Sequence, residues 1–209
     1  MTRPDTDEPQ PQVYAVIPAA GRSRRMGTAK QLLPHGQSTV LETVIETVLA
    51  APIDGLAVVT HSAIADELDL PEDPRFVTVI NDDEATQMFD SIRLGVTALA
   101  RAFQPGADAG LLVCPGDLPG LDLATLTGCL AEFRNHPDSV VVATHGDKTG
   151  HPVIVPLSMV SNAPADAEGG LAGLLRRSIH PTRRVESPNP AVLDDLNTPQ
   201  DYDRLNRAD

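Results

Sequence analysis

The chain has 209 residues, with 16 Lys and Arg against 29 Asp and Glu and a formal charge of −13. A chain of this length buries roughly 70% of its unfolded surface without staples. So acidic a balance argues against a surface that displaces counterions from nucleic-acid phosphates. The lone thiols Cys114 and Cys129, the absence of a signal-peptide run and the lack of any apolar stretch near ~20 residues fit a reduced cytoplasmic protein, away from membranes.

Residues Met1 to Gln12 carry three prolines and three acids with no apolar period, and read as a disordered tail. Val13 to Ile17 is the first expected strand. Thr39 to Ala50 is a helix, because Thr39 and Glu42 form a capping box and Leu41, Val44, Ile45, Val48 and Leu49 share a face. Leu56 to Thr60 is the second strand, followed by a short helix over Ala63 to Leu68. Phe76 to Ile80 is the third, and Asp90 is the expected cap of a helix reaching Phe103. Leu111 to Cys114 is the fourth strand, before a helix capped by Asp122 and ending near Phe133. Val140 to Ala143 is the fifth, and His151 to Val155 follows it across a turn. A helix over Leu171 to Ile179 and an extended Arg183 to Glu186 come next. Thr198 and Pro199 open a last helix as cap and first residue.

Strands alternating with helices predict one α/β domain over residues 13–209, with three layers around a mainly parallel sheet. Four Phe, two Tyr and no Trp leave the core to aliphatic residues, as buried parallel strands require. They also leave few stacking platforms for single-stranded nucleic acid.

Two segments carry chemistry. The first strand runs into Pro18-Ala19-Ala20-Gly21-Arg22-Ser23-Arg24-Arg25-Met26-Gly27-Thr28-Ala29-Lys30. A small-residue loop after a strand turns backbone N–H groups toward an anion. Four of the 16 cations fall within nine residues here, and the chain has only two lysines, Lys30 and Lys148. This predicts phosphate binding, although an exposed turn with solvated arginines is the plainer alternative. The loop has neither G-x-G-x-x-G nor the Walker spacing, which disfavours ordinary dinucleotide binding and P-loop hydrolysis.

The second segment is Val113-Cys114-Pro115-Gly116-Asp117-Leu118-Pro119. An aspartate just beyond a strand lies at the carboxyl edge of the sheet, where open α/β sheets bind ligands. There it holds Mg²⁺ through one or two oxygens or, more plainly, caps its turn. Asp122 already supplies the next helix cap. Parallel strands bring the Gly21 loop and Asp117 to one rim, an arrangement suited to phosphoryl or nucleotidyl transfer.

These segments resemble the MobA-like nucleotidyltransferases, and among them the molybdenum cofactor cytidylyltransferases. The family's AAG-x-S-x-RMG-x-x-K-x-LL loop is matched by Ala19 to Leu33, its G-D-x-P motif by Gly116 to Pro119, and its GHP segment by Gly150-His151-Pro152. Its closing D-x-D-TP-x-D motif appears as Asp195-Leu196-Asn197-Thr198-Pro199-Gln200-Asp201, with Asn197 in place of the second acid. Of a further family segment, Met88, Ser91 and Arg93 persist.

The resemblance implies a Rossmann-like fold of the nucleotide-diphospho-sugar transferase type and transfer of a nucleoside monophosphate, with CTP favoured, onto a phosphorylated acceptor of the molybdopterin type. It implies Pro18, Ala19, Ala20, Gly21, Arg22, Ser23, Lys30 and Gly116 at the nucleotide, and Lys30, Arg25 and Asp117 in catalysis. Asp117 with Asn197 would hold Mg²⁺, and Ser91, Arg93, Gly150, His151 and Pro152 would meet the acceptor. A molybdoenzyme is the implied partner. Ile17-Pro18-Ala-Ala-Gly and Lys30-Gln31 are also similar to the methylerythritol-phosphate cytidylyltransferases, and Asn197 to guanylyltransferase relatives. A non-catalytic nucleotide-binding regulator and a Rossmann-type oxidoreductase are the alternatives from other classes. Asp82-Asp83-Glu84 reads as a solvated loop or as a flap over the cleft, and the six histidines show no zinc spacing.

Overall fold

The computed structural model describes residues 10–21, 29–164, 166–193, 196 and 198–205. Arg22, Ser23, Arg24, Arg25 and Asn197, with residues 1–9 of the expected tail, lie outside that set.

The aliphatic runs form a seven-stranded sheet. Its strands are β1 (Val13–Pro18), β4 (Gly55–Thr60), β5 (Phe76–Ile80), β6 (Gly110–Val113), β7 (Val140–His145), β8 (Lys148–Pro156) and β9 (Thr182–Glu186), in the order β5-β4-β1-β6-β8-β7-β9. A two-stranded ribbon of β2 (Pro34–His35) and β3 (Ser38–Thr39) stands apart. Every neighbouring pair in the large sheet is parallel except those made by β8, which runs antiparallel to both β6 and β7. The connection from β7 is two residues, with Gly146 at φ +59°, and a link that short joins only antiparallel strands.

Side chains alternate across the sheet and divide the core into two layers. Val13, Ala15 and Ile17 pack with α1 (Val40–Ala50) and α4 (Leu123–Asn135), while Tyr14 and Val16 pack with α3 (Met88–Phe103). The short α5 (Leu157–Ser161) and α6 (Gly170–Arg177) join the α3 layer through Val160, Leu171 and Leu174. The result is the expected three-layer α/β arrangement around a mostly parallel sheet.

Helix starts follow local chemistry. Thr39 and Glu42 make the expected capping box, and the Asp122 carboxylate accepts from Thr125 N at 2.7 Å. The short helix after β4 is α2 (Ser62–Ala65), with the His61 ring as its cap. For α3 the expectation is corrected: Gln87 is the cap residue, and Asp90 lies one turn inside, accepting from Gln87 N at 2.8 Å. A carboxylate three residues into a helix satisfies a terminal amide as well as one at the cap. Thr198 caps α7 (Pro199–Leu205), accepting from Asp201 N at 3.3 Å. No helix among the described residues is long and apolar enough to cross a membrane.

Candidate active site

The site grows from the carboxyl ends of β1 and β6. Beyond β1, Ala19 N donates to Val59 O at 2.7 Å, which carries the β1–β4 ladder one residue into the glycine loop. Beyond β6, Cys114 N donates to Val16 O at 3.2 Å, and the chain turns at Pro115-Gly116-Asp117. That turn lies directly against the loop. A Cβ on Gly116 would stand 2.9 Å from Ala19 Cβ and 3.0 Å from Leu41 Cδ1, so only a hydrogen fits there.

The loop returns through a single 3-10 turn, Lys30–Leu32. Two side chains of this turn organise the site. Lys30 Nζ donates to the Asp117 carboxylate and, at 2.9 Å, to Leu196 O. Gln31, 2% exposed, donates through Nε2 to Ala19 O and Gly21 O, both at 2.9 Å. Leu196 N in turn donates to Asp117 O at 3.1 Å, so Leu196 bonds to both members of the pair.

These residues border a cavity of about 320 Å³, with Pro18 to Gly21, Lys30, Gly116 and Asp117 on its walls. All seven described residues that the resemblance assigns to the nucleotide, catalysis or the metal thus meet in one cleft, and Gln31 and Met88 line it as well. Asp82, Asp83 and Glu84 form another part of its lining and are exposed, so the acidic run is solvated and stands at the cleft. His61, which sequence reasoning passed over, also lines the cavity. Its Nδ1 accepts from Ala63 N at 3.1 Å, which puts the ring proton on Nε2, 3.4 Å from Asp82 Oδ1.

The residues linked to the acceptor lie elsewhere. Ser91 is buried one layer behind the lining, its Oγ 3.3 Å from Nδ2 of Asn81, which does face the cavity. Arg93 Nη1 donates to Pro164 O at 3.4 Å. Gly150, His151 and Pro152 belong to the first half of β8 and do not line the cavity. Because β8 is antiparallel and pairs Val153 with Val113, they still reach the rim beyond β6. The His151–Pro152 peptide is cis, and a Cβ on Gly150 would stand 2.1 Å from Val192 O.

Asp117 also shapes its surroundings. Burial, and then the Asp117 charge, push the Cys114 thiol well above its usual range, so this sulfur is no nucleophile. A divalent cation fits the donor set: Asp117 offers a carboxylate on the cavity wall, as Asp82, Asp83 and Glu84 do along another part of it, and one or two such oxygens with phosphate and water is how Mg²⁺ is commonly held. Among the described residues no group of three His, Cys, Asp or Glu could hold an ion.

A parallel-sheet rim that brings a glycine loop beside a Lys–Asp pair is an arrangement suited to handling nucleotides. Residues 15–183 match the family described as the MobA-like NTP transferase domain, and the chain belongs to that family of nucleotidyltransferases. It is 27% identical over 202 residues to a probable molybdenum cofactor guanylyltransferase of Rhodopirellula baltica, covering 91% of this chain and 90% of that one. It is 26% identical over 200 residues to the molybdenum cofactor cytidylyltransferase of Escherichia coli, covering 91% and 93%. Among solved structures, a manganese complex of Rv0371C from Mycobacterium tuberculosis superposes with a TM-score of 0.69 at 25% identity, covering 94% of this chain and 98% of that one.

Proposed function

We propose that the protein transfers CMP from CTP to a phosphorylated acceptor of the molybdopterin type, with Mg²⁺ as the metal and release of pyrophosphate. The observation that carries this reading is the meeting of the Lys30 ammonium and the Asp117 carboxylate on the wall of a cavity bordered by the Ala19–Gly21 loop. In the reaction an acceptor phosphate oxygen bonds to the α-phosphorus, and the bond from that phosphorus to the pyrophosphate oxygen breaks. Loop amides near Ala20 and Gly21 hold the triphosphate. The Lys30 ammonium offsets the negative charge that gathers on it, as preorganised donors do in phosphoryl transfer. Arg25 is assigned the same task.

Asp117, assisted by Asn197, is assigned to the cation. When bound, that cation supplies charge neutralisation at the α-phosphate. The manganese complex of a 25% identical structure supports a divalent-metal site. Ser91 would then act by supporting Asn81 on the cavity wall, and Gly150 to Pro152 by bordering the rim where an acceptor approaches. CTP is favoured because Ala19-Ala20-Gly21 is the loop form that tends to accompany CTP in this family. A guanylyltransferase is the second reading, favoured by the relationship to the Rhodopirellula baltica protein.

The deciding experiment measures pyrophosphate release with CTP, GTP, ATP or UTP, Mg²⁺ and a molybdopterin acceptor. Turnover with CTP at least tenfold above GTP is expected. Turnover confined to GTP establishes the second reading, and none with any nucleotide overturns both.

A further inference from the structure

We propose that Gln31 is a positioning residue for nucleotide binding, acting through the backbone of the glycine loop. The inference deepens the nucleotidyl-transfer reading and rests on it. Ala19 O and Gly21 O, two partners of the Gln31 carboxamide, are carbonyl oxygens, which accept only, so its NH2 end faces them. It therefore spends its two donors on Ala19 O and Gly21 O, either side of Ala20.

The consequence follows from peptide geometry. In a trans peptide the C=O and N–H point in opposite directions. Holding Ala19 O against Gln31 thus directs the N–H of Ala20, a cavity-lining residue, away from Gln31. The same clamp keeps two carbonyl dipoles, which repel phosphate, engaged on the protein side. Ala19 is fixed from its other end by the bond from its N–H to Val59 O. The loop peptide is consequently held at both ends before any ligand arrives.

Gln31 also neighbours Lys30 on the same 3-10 turn, whose end is tied to α1 by Val40 N donating to Leu33 O at 2.9 Å. One short turn therefore sets both the loop amide and the ammonium. Gln31 itself borders the cavity, but with both Nε2 hydrogens engaged by the loop it works by orientation.

The test measures CTP and GTP affinity by titration with Mg²⁺, and then steady-state KM and kcat. It compares wild type, Gln31→Met, which keeps volume but has no donor, and Gln31→Glu, which accepts only. Val48→Ala, a core change in α1, serves as the stability control. Both Gln31 variants are expected to raise nucleotide Kd and KM by at least about tenfold with a smaller change in kcat. The control is expected to lower Tm and leave KM unchanged. Folded Gln31 variants with wild-type Kd and KM overturn the proposal, as does a control that raises KM to the same extent. If one Gln31 variant fails to fold, the other decides. If wild type binds neither nucleotide, the function proposed above fails first, and this inference with it.

Discussion

Lys30 and Asp117 are 87 residues apart in sequence and are joined twice in the fold. They pair directly, and they also meet through Leu196, whose carbonyl accepts from Lys30 Nζ at 2.9 Å and whose N–H donates to Asp117 O at 3.1 Å. The second link ties Leu196 to the site. It also holds the ammonium in place before substrate charge reaches it.

Removing that ammonium is therefore expected to lower kcat more than binding. Lys30→Met should reduce kcat by about 10²–10³, the usual cost of losing one preorganised donor. Steady-state pyrophosphate release checks this. A loss below tenfold would exclude Lys30 from the chemistry.

Asp117→Asn keeps the side-chain volume but removes the charge. We expect Mn²⁺ binding in the presence of nucleotide, followed by electron paramagnetic resonance, to weaken by about tenfold or more. Because the pair is mostly buried, leaving the Lys30 ammonium without this carboxylate should also cost stability, up to about 3–5 kcal/mol, which a thermal melt reads separately. Unchanged Mn²⁺ affinity would remove Asp117 as the metal residue.

Gly150→Ala tests packing near the rim. Its Cβ would meet Val192 O at 2.1 Å, a backbone atom that cannot swing aside. Overpacking of this kind costs about 1–3 kcal/mol. In a chain of this size, that lowers Tm by roughly 2–4 °C per kcal/mol in calorimetry. An unchanged Tm would contradict the close approach.

The Asp122 cap sets an acid limit. Burial alone would raise its carboxyl pKa, but hydrogen bonds from Thr125 N, Asn189, the Thr125 hydroxyl and Ala124 N hold it below the usual range. Its contribution is therefore complete above the unfolded pKa near ~4 and is lost as pH falls through the lower folded value. Asp122→Ala should cost about 1 kcal/mol at pH 7, and its deficit relative to wild type should shrink toward pH 2. Urea unfolding at several pH values reads this directly.

Both thiols should be inert while the protein is folded. Burial pushes Cys129 up to about 12 and Cys114 higher still. A chromogenic disulfide reagent at pH 8 is expected to label neither until denaturant is added. Rapid native labelling would show that one of them is reachable.

Much of this was legible in the sequence because aliphatic runs of strand length sit between amphipathic segments with ordinary caps. Val13 to Ile17, Phe76 to Ile80 and the Thr39–Glu42 box needed no tertiary information. The turn between residues 145 and 150 is too short for a parallel crossover, a sign of the reversal of β8 that the expectation of a mainly parallel sheet did not use. The meeting of Lys30 with Asp117 followed from placing both near one rim, but their direct pairing did not. Gln31 left no periodic signal, since a buried amide looks like any surface glutamine until its carbonyl partners are known. His61 had a usable sign that was passed over: it directly follows Thr60 at the carboxyl end of a parallel strand.

The lone reversed strand has a further consequence for how this scaffold varies. The two-residue link from β7 to β8 lies on the same side of the molecule as the cleft, yet it takes no part in the β5-β4-β1-β6 ladder. Lengthening a surface link is thermodynamically cheap, about 0.6 kcal/mol for each doubling of loop length. Insertions there alter the edge beyond β7 and β8 while the half that carries Lys30 and Asp117 stays in register. The architecture thereby separates what can drift from what must hold still.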